Sequence, residues 1–215
     1  MMKTSIYLAL IVLISCSCKN EKPAEFDLNT LNFKEKIGQV LKPAGLAAKA
    51  DKPTGWSLAQ FAIFESSDPK VMKFNGVDLS GKAGDSVNRV LIHYSIADST
   101  IKLVELKIFS APQAKALAAA LDQKLGKSVY PTDTYTAVLG KNNPTIRRVW
   151  IDPKTTIGHF YTDALNKQQQ EEAKLAILDY SDDQVAQLAS LKGYSTSVTL
   201  AVHETTKQLK KAGKN

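Results

Sequence analysis

Three histidines, a scatter of carboxylates and one aromatic hairpin are the groups in this 215-residue chain with chemistry to offer. His93, His159 and His203 stand far apart. None has a second histidine or a cysteine at metal-ligand spacing. A zinc-type site needs three or four convergent donors, so the pattern predicts no metal. His203-Glu204 alone is too little. Serines are common, yet none sits in a Gly-x-Ser-x-Gly elbow, which leaves a serine hydrolase without support. The glycines form no phosphate-binding loop, and no cofactor is expected. Asp152, Asp163 and Asp179 could meet in space as an acid/base pair. Glycoside hydrolysis requires such a pair at a set separation, which spacing along the chain does not fix.

The hairpin says more. Asp152-Pro153-Lys154-Thr155 reads as a turn with proline at its favoured second position. A two-residue loop there sets Trp150 opposite Ile157 and Arg148 opposite His159. Side chains alternate across a strand, so Arg148, Trp150, His159 and Tyr161 fall on one sheet face. Arg, Trp and Tyr dominate the energetics of interaction surfaces, and the rings could also stack on sugars. These four are the candidate binding residues. The competing reading packs Trp150 and Tyr161 under a helix, with Arg148 and His159 at the rim.

The N-terminus carries a different signal. Lys3 precedes an unbroken apolar run from Ile6 to Ile14, and Leu13-Ile14-Ser15-Cys16 follows. A helix needs ~20 apolar residues to span a bilayer, and this run is about half that. The segment resembles a bacterial lipoprotein signal peptide with its lipobox. The resemblance implies cleavage before Cys16, palmitate-type acylation of its sulfur and a lipid anchor in the cell envelope. The outer membrane is favoured over the inner, with the protein facing the periplasm or the cell surface. Residues 1–15 are then the signal peptide and 16–29 a lipidated tether. Cys18 lacks an apolar residue at the leading lipobox position, and it reads as an inert tether thiol. No cysteine follows it, so the folded part must stand without a disulfide. The roughly 200 residues left after cleavage can bury ~70% of their unfolded surface, enough for one domain or two small ones.

Lys plus Arg number 28 against 21 Asp plus Glu, a formal +7. The export signal argues against nucleic acid as the partner of this charge. Anionic head groups or acidic glycans would meet it instead. Lys207, Lys210, Lys211 and Lys214 concentrate it in a basic tail, 204–215. That tail is either a membrane-surface patch or a solvated end.

The elements that must position these groups read as α+β. A helix is expected over Phe33 to Lys42, with Asn32 and Glu35 as a capping box. Strands are expected at Gln60 to Glu65, Val71 to Leu79 (with a bulge at Gly76), Asn88 to Ile96 and Ile101 to Phe109. Ala97 to Thr100 forms the hairpin loop between the last two. A second helix starts at Ser110, carries Pro112 in its first turn and stops at Gly126. Strands return at Tyr135 to Leu139, Ile146 to Ile151, Thr156 to Tyr161 and Leu175 to Tyr180, with a polar stretch at Asn166 to Glu172. A short helix over Ser181 to Leu191 follows, and 195–203 fits either a strand or a helix. The domain is thus 30–203, a helix plus four antiparallel strands repeated twice. Halves 30–109 and 110–203 read either as a duplicated α-β4 unit or as one continuous domain. Ile37-Gly38-Gln39-Val40-Leu41-Lys42 and Leu121-Asp122-Gln123-Lys124-Leu125-Gly126 are the similar text.

Over residues 30 to 180 this order of elements resembles that of tandem α-β4 proteins, the β-lactamase inhibitory protein among them. The stretch Arg148 to Ile157 is similar to a hairpin common in small exported lipoproteins. The resemblance implies a concave sheet that binds a protein. Two functions fit: a non-catalytic binding or adaptor lipoprotein recognising an envelope protein or glycan, and an envelope hydrolase built from dispersed carboxylates and histidines. The lipobox assignment has a direct check. Cys16→Ser should abolish incorporation of labelled palmitate and cleavage of the precursor, and Cys18→Ser should leave both intact.

Overall fold

The computed structural model describes residues 26–48, 60–128, 146–165 and 171–191. Its longest strands are where apolar and β-branched residues are densest. β1 (Phe61–Ser66), β6 (Arg89–Ser95) and β7 (Ile101–Ile108) come from the first half. β8 (Ile146–Ile151), β9 (Ile157–Leu165) and β10 (Glu171–Asp179) come from the second. They form one sheet in the order β1-β6-β7-β10-β9-β8, and every neighbouring pair is antiparallel. The helices are α1 (Ile37–Leu41), α2 (Ala111–Leu125) and α3 (Asp183–Leu191). Two small hairpins, β2 (Lys73–Phe74) with β3 (Val77–Asp78) and β4 (Lys82–Ala83) with β5 (Ser86–Val87), lie between β1 and β6. The expected α+β class is what folds.

The sheet is covered on both faces. α2 and the N-terminal segment lie over Val90, Ile92, Val104, Leu106, Leu175, Ile177, Trp150 and Tyr161. α3 presents Val185 and Leu188 to Phe61, Leu103, Val149, Phe160 and Leu178 on the other face. Both faces of β6 are therefore inside, and every residue from Val90 to Ser95 is buried. The second face also takes His93 and Glu105. Both are buried, and His93 Nε2 lies 2.7 Å from Glu105 Oε2.

Three expectations need correction. The strand over Val71 to Leu79 is broken into a 3-10 turn, Pro69–Val71, and the β2-β3 hairpin. Gly76 is a turn residue there and not a bulge. Asn75 and Gly76 have φ of 50° and 77°, the left-handed pair that a tight Asn-Gly hairpin requires. The Asp27 carboxylate accepts both of their N–H groups, at 2.9 and 2.6 Å, which pins the N-terminal segment to this turn.

The first helix is shorter than its apolar pattern. Asn32 and Glu35 do interact, with Asn32 N–H donating to the Glu35 carboxylate at 3.2 Å. Phe33, however, is left-handed at φ 62°, and the helix waits until Ile37. The intervening backbone is drawn onto the β6-β7 hairpin. Ile101 N–H donates to Glu35 O at 3.0 Å, and Ile37 N–H donates to Ser99 O at 2.9 Å. These tertiary bonds outweigh local helix preference, as short helices lack much cooperativity of their own.

Ser110 precedes α2 as expected, but its hydroxyl does not cap the helix. It accepts from Asn88 Nδ2 at 2.7 Å. The same amide donates to Leu79 O at 2.9 Å, and its oxygen accepts from Phe109 N–H at 2.8 Å and Ser110 N–H at 3.2 Å. Asn88 is fully buried with its amide satisfied at both ends.

The remaining strands run close to expectation. β9 extends to Leu165, and β10 starts at Glu171, inside the stretch expected to be polar loop. Tyr135 to Leu139, 195–203 and the basic tail lie outside the described residues, as do Cys16, Cys18 and His203. The described sheet takes three long strands from each half, in mirrored order. At the start, Leu28 is buried and Asp27 is tied to the β2-β3 turn, so packed chain begins before residue 30.

Asn88→Ala should be costly. It strands Leu79 O, the Ser110 hydroxyl and two backbone N–H groups away from water, and each unsatisfied buried group costs ~1 to 3 kcal/mol. A loss of roughly 3 kcal/mol in urea unfolding is expected, against less than about 1 kcal/mol for an exposed control such as Lys115→Ala.

Candidate functional site

The β8-β9 hairpin sets the candidate residues, and its loop is longer than the expected two residues. Asp152 N–H donates to Ile157 O at 3.0 Å, and Thr156 N–H donates to Asp152 O at 2.9 Å. Thr156 takes φ 60° to close the turn. Trp150 therefore pairs with His159 and Arg148 with Tyr161, in place of Ile157 and His159. The slip is two residues. Side-chain direction has a period of two, so it preserves the face. Arg148, Trp150, His159 and Tyr161 do share one side of the sheet.

That side is closed by α2. Trp150 and Tyr161 are 4% and 2% exposed. The indole Nε1–H donates to Gly126 O at 2.8 Å, just past the helix end. Arg148 pairs with Asp122 of α2 at 2.8 Å, and its guanidinium lies 5.9 Å from the Tyr161 ring centre. Burial pushes the Tyr161 phenol well above its ordinary range, with the Asp163 charge adding to it. The two aromatic rings are core residues here, as in the competing reading, and Arg148 lies half-exposed over them.

His159 is set apart from this group. Its ring meets Phe74 edge-on, with centres 6.1 Å apart. Among the described residues its nitrogens make no hydrogen bond. Burial lowers its pKa from 6.5 to about 4, and the Asp152 charge opposes that only in part. The imidazole is thus neutral at pH 7.

Trp150 and His159 also form part of the wall of a cleft of about 540 Å³. Leu28 and Leu31 close one side, Lys124 and Leu125 at the end of α2 another, and Asp152 to Ile157 a third. Ile177 of β10 contributes from the sheet. Most of these residues were not legible as site residues. They come from four separated segments, and an isolated leucine in a polar stretch, such as Leu28, was the only local hint.

The carboxylates near the cleft are committed. Asp152 accepts from Lys154 N–H at 2.8 Å and from the Thr155 hydroxyl at 2.9 Å. Burial alone would raise its pKa. These bonds and the Lys154 charge outweigh burial and hold it below the usual range. Asp179 behaves alike. Burial is again opposed, here by the Ser181 and Thr156 hydroxyls, each at 2.7 Å, and the net shift is downward. Both are therefore carboxylates at neutral pH, and neither is a proton donor. Asp163 accepts from the Tyr161 hydroxyl at 3.5 Å. Among the described residues no three His, Cys, Asp or Glu side chains converge as a metal site, and no helix is long and apolar enough to cross a membrane.

No family model, curated protein or solved structure matches this chain.

Two outcomes are expected. Trp150→Ala should destabilise by ~3 to 5 kcal/mol in thermal or urea unfolding, the usual cost of removing a buried large aromatic. The His159 ring should titrate by NMR near pH 4. Its folded pKa lies below its unfolded one. The stability it contributes is therefore complete above pH 6.5 and declines as pH falls toward about 4. His159→Leu should remove that part of the acid dependence.

Proposed function

We propose that this chain is a lipid-anchored, non-catalytic binding lipoprotein of the bacterial cell envelope, with its ligand seat in the cleft beside Trp150. The outer membrane is the favoured location. The observation that carries the reading is the cleft itself. Its size lies within the ~300 to 1,000 Å³ usual for small-molecule sites, and its lining is mainly apolar with a few polar groups. The hydrolase reading has less support. A general acid needs a pKa raised toward the working pH, and Asp152 and Asp179 are both shifted the other way. Recognition of an envelope protein or glycan by the hairpin face is also less favoured, since Trp150 and Tyr161 are already covered. The finer reading of the fold, a duplicated α-β4 unit, draws its support from the mirrored strand order alone.

The test is native mass spectrometry of the protein released gently from its own membranes. A bound, non-covalent mass is expected on the wild type. Leu125→Trp, which fills the cleft from the helix end, should remove it. Turnover of envelope carbohydrate or peptide that is lost in Asp152→Asn would overturn the non-catalytic reading.

A further inference from the structure

The chemistry of the cleft narrows its occupant, an argument that rests on the binding reading above. Leu125 and Ile157, both partly exposed, supply the open part of its apolar wall, with Leu28, Leu31 and Ile177 buried behind them. Several polar groups around it are already engaged within the protein. The Trp150 indole N–H goes to Gly126 O at 2.8 Å. Asn32 Oδ1 takes Lys34 N–H at 2.9 Å. The Asp152 carboxylate takes Lys154 N–H at 2.8 Å and the Thr155 hydroxyl at 2.9 Å. A sugar or a peptide would give up its water against these paired groups, with only Lys124, the His159 ring and the Asn29 and Asn32 amides, among the described residues, left to receive its many polar atoms, which disfavours it. A hydrocarbon chain brings no polar atoms and gains in proportion to the apolar area it buries.

The charges point the same way. Lys124 and Asp152 flank the cleft with opposite signs. Asp152 is tied into its own loop. Lys124 makes no hydrogen bond or ion pair among the described residues. Its ammonium is available at the rim for an anionic or ester head group. Position adds a further argument. Leu28 follows Cys16 by twelve residues, a reach of at most about 40 Å. An anchor at Cys16 would hold the cleft within that distance of a bilayer surface, where acyl chains are abundant.

We propose that this cleft holds a single lipid acyl chain, with the tail against Leu125 and Ile157 and the polar head at Lys124. A free fatty acid, a membrane phospholipid and the acyl group on Cys16 itself all present the same tail. The mass of the captured adduct separates the three.

The experiment feeds cells expressing the full chain a fatty acid with a diazirine in its tail. After irradiation, cross-linked peptides are mapped by mass spectrometry. Labelling is expected within 26–32, 120–127 or 150–159. Leu125→Trp and Thr155→Trp narrow the cleft from different sides. Whichever variant keeps a wild-type Tm should label about tenfold less or lower still. An adduct of fatty acid alone, of intact phospholipid, or bridging to Cys16 each supports the assignment and names the source. Labelling confined to other regions, or undiminished in a folded variant, overturns it. If label misses the cleft while native spectra still show a bound mass that Leu125→Trp removes, the acyl assignment fails and the binding reading stands. If neither signal is found, both fail.

Discussion

The antiparallel pairing of β7 with β10 joins the two halves of the chain into one sheet. It runs from Ile108 opposite Ala173 to Leu103 opposite Leu178. The flanking hairpins, β6 with β7 and β9 with β10, could each form locally. Among the described strands only this seam pairs residues more than sixty positions apart, and both cores cross it. Loop closure across that distance costs entropy, which must be recovered from burial on both faces. Leu103 and Leu178 serve one core, and Leu106, Leu175 and Ile177 the other. Double-sided burial also explains why these strands carry so few exposed residues.

Polar groups at the seams are mostly placed where the backbone would otherwise be unpaired. Asn88 bridges Leu79, Phe109 and Ser110, and so fastens the end of β7 to the start of α2. The far end of α2 is fastened by Trp150 through Gly126 O and by Arg148 through Asp122. Ser128 then donates to Val149 O and accepts from Val149 N–H, both at 2.9 Å, and so occupies the outer edge of β8. An open strand edge invites pairing with another chain, and a hydroxyl lodged there blocks it. The cleft lies beside this fastening, where the helix has ended and the N-terminal segment crosses the sheet.

The titratable groups in the same region are shifted away from neutrality. Asp152 keeps its charge through hydrogen bonds inside its own loop, Asp179 through bonds from Ser181 and from Thr156 of the β8-β9 loop, and burial keeps His159 neutral. A catalytic pair would push pKa values toward the working pH, and here they move away from it. The pattern is that of loops stabilised by carboxylates beside a largely apolar recess.

The sequence by itself determined β1, β6, β7 and β8, the presence of β9 and β10 but not their extension over 162–165 and 171–174, α2 and its two ends, the hairpin loop at Ala97 to Thr100, and the common face of Arg148, Trp150, His159 and Tyr161. These follow from local periodicity and turn chemistry, which act over a few residues. Tertiary structure decided the rest. It shortened the first helix, because Glu35 and Ile37 bond to the β6-β7 hairpin. It turned Asn75-Gly76 into a hairpin braced by Asp27, and it redirected Ser110 to Asn88. It put Trp150 beneath α2, a choice that alternation cannot make because a sheet face has no label until something packs on it. The cleft was invisible for the same reason. Leu28, Leu125, Ile157 and Ile177 become neighbours only when the β7-β10 seam closes.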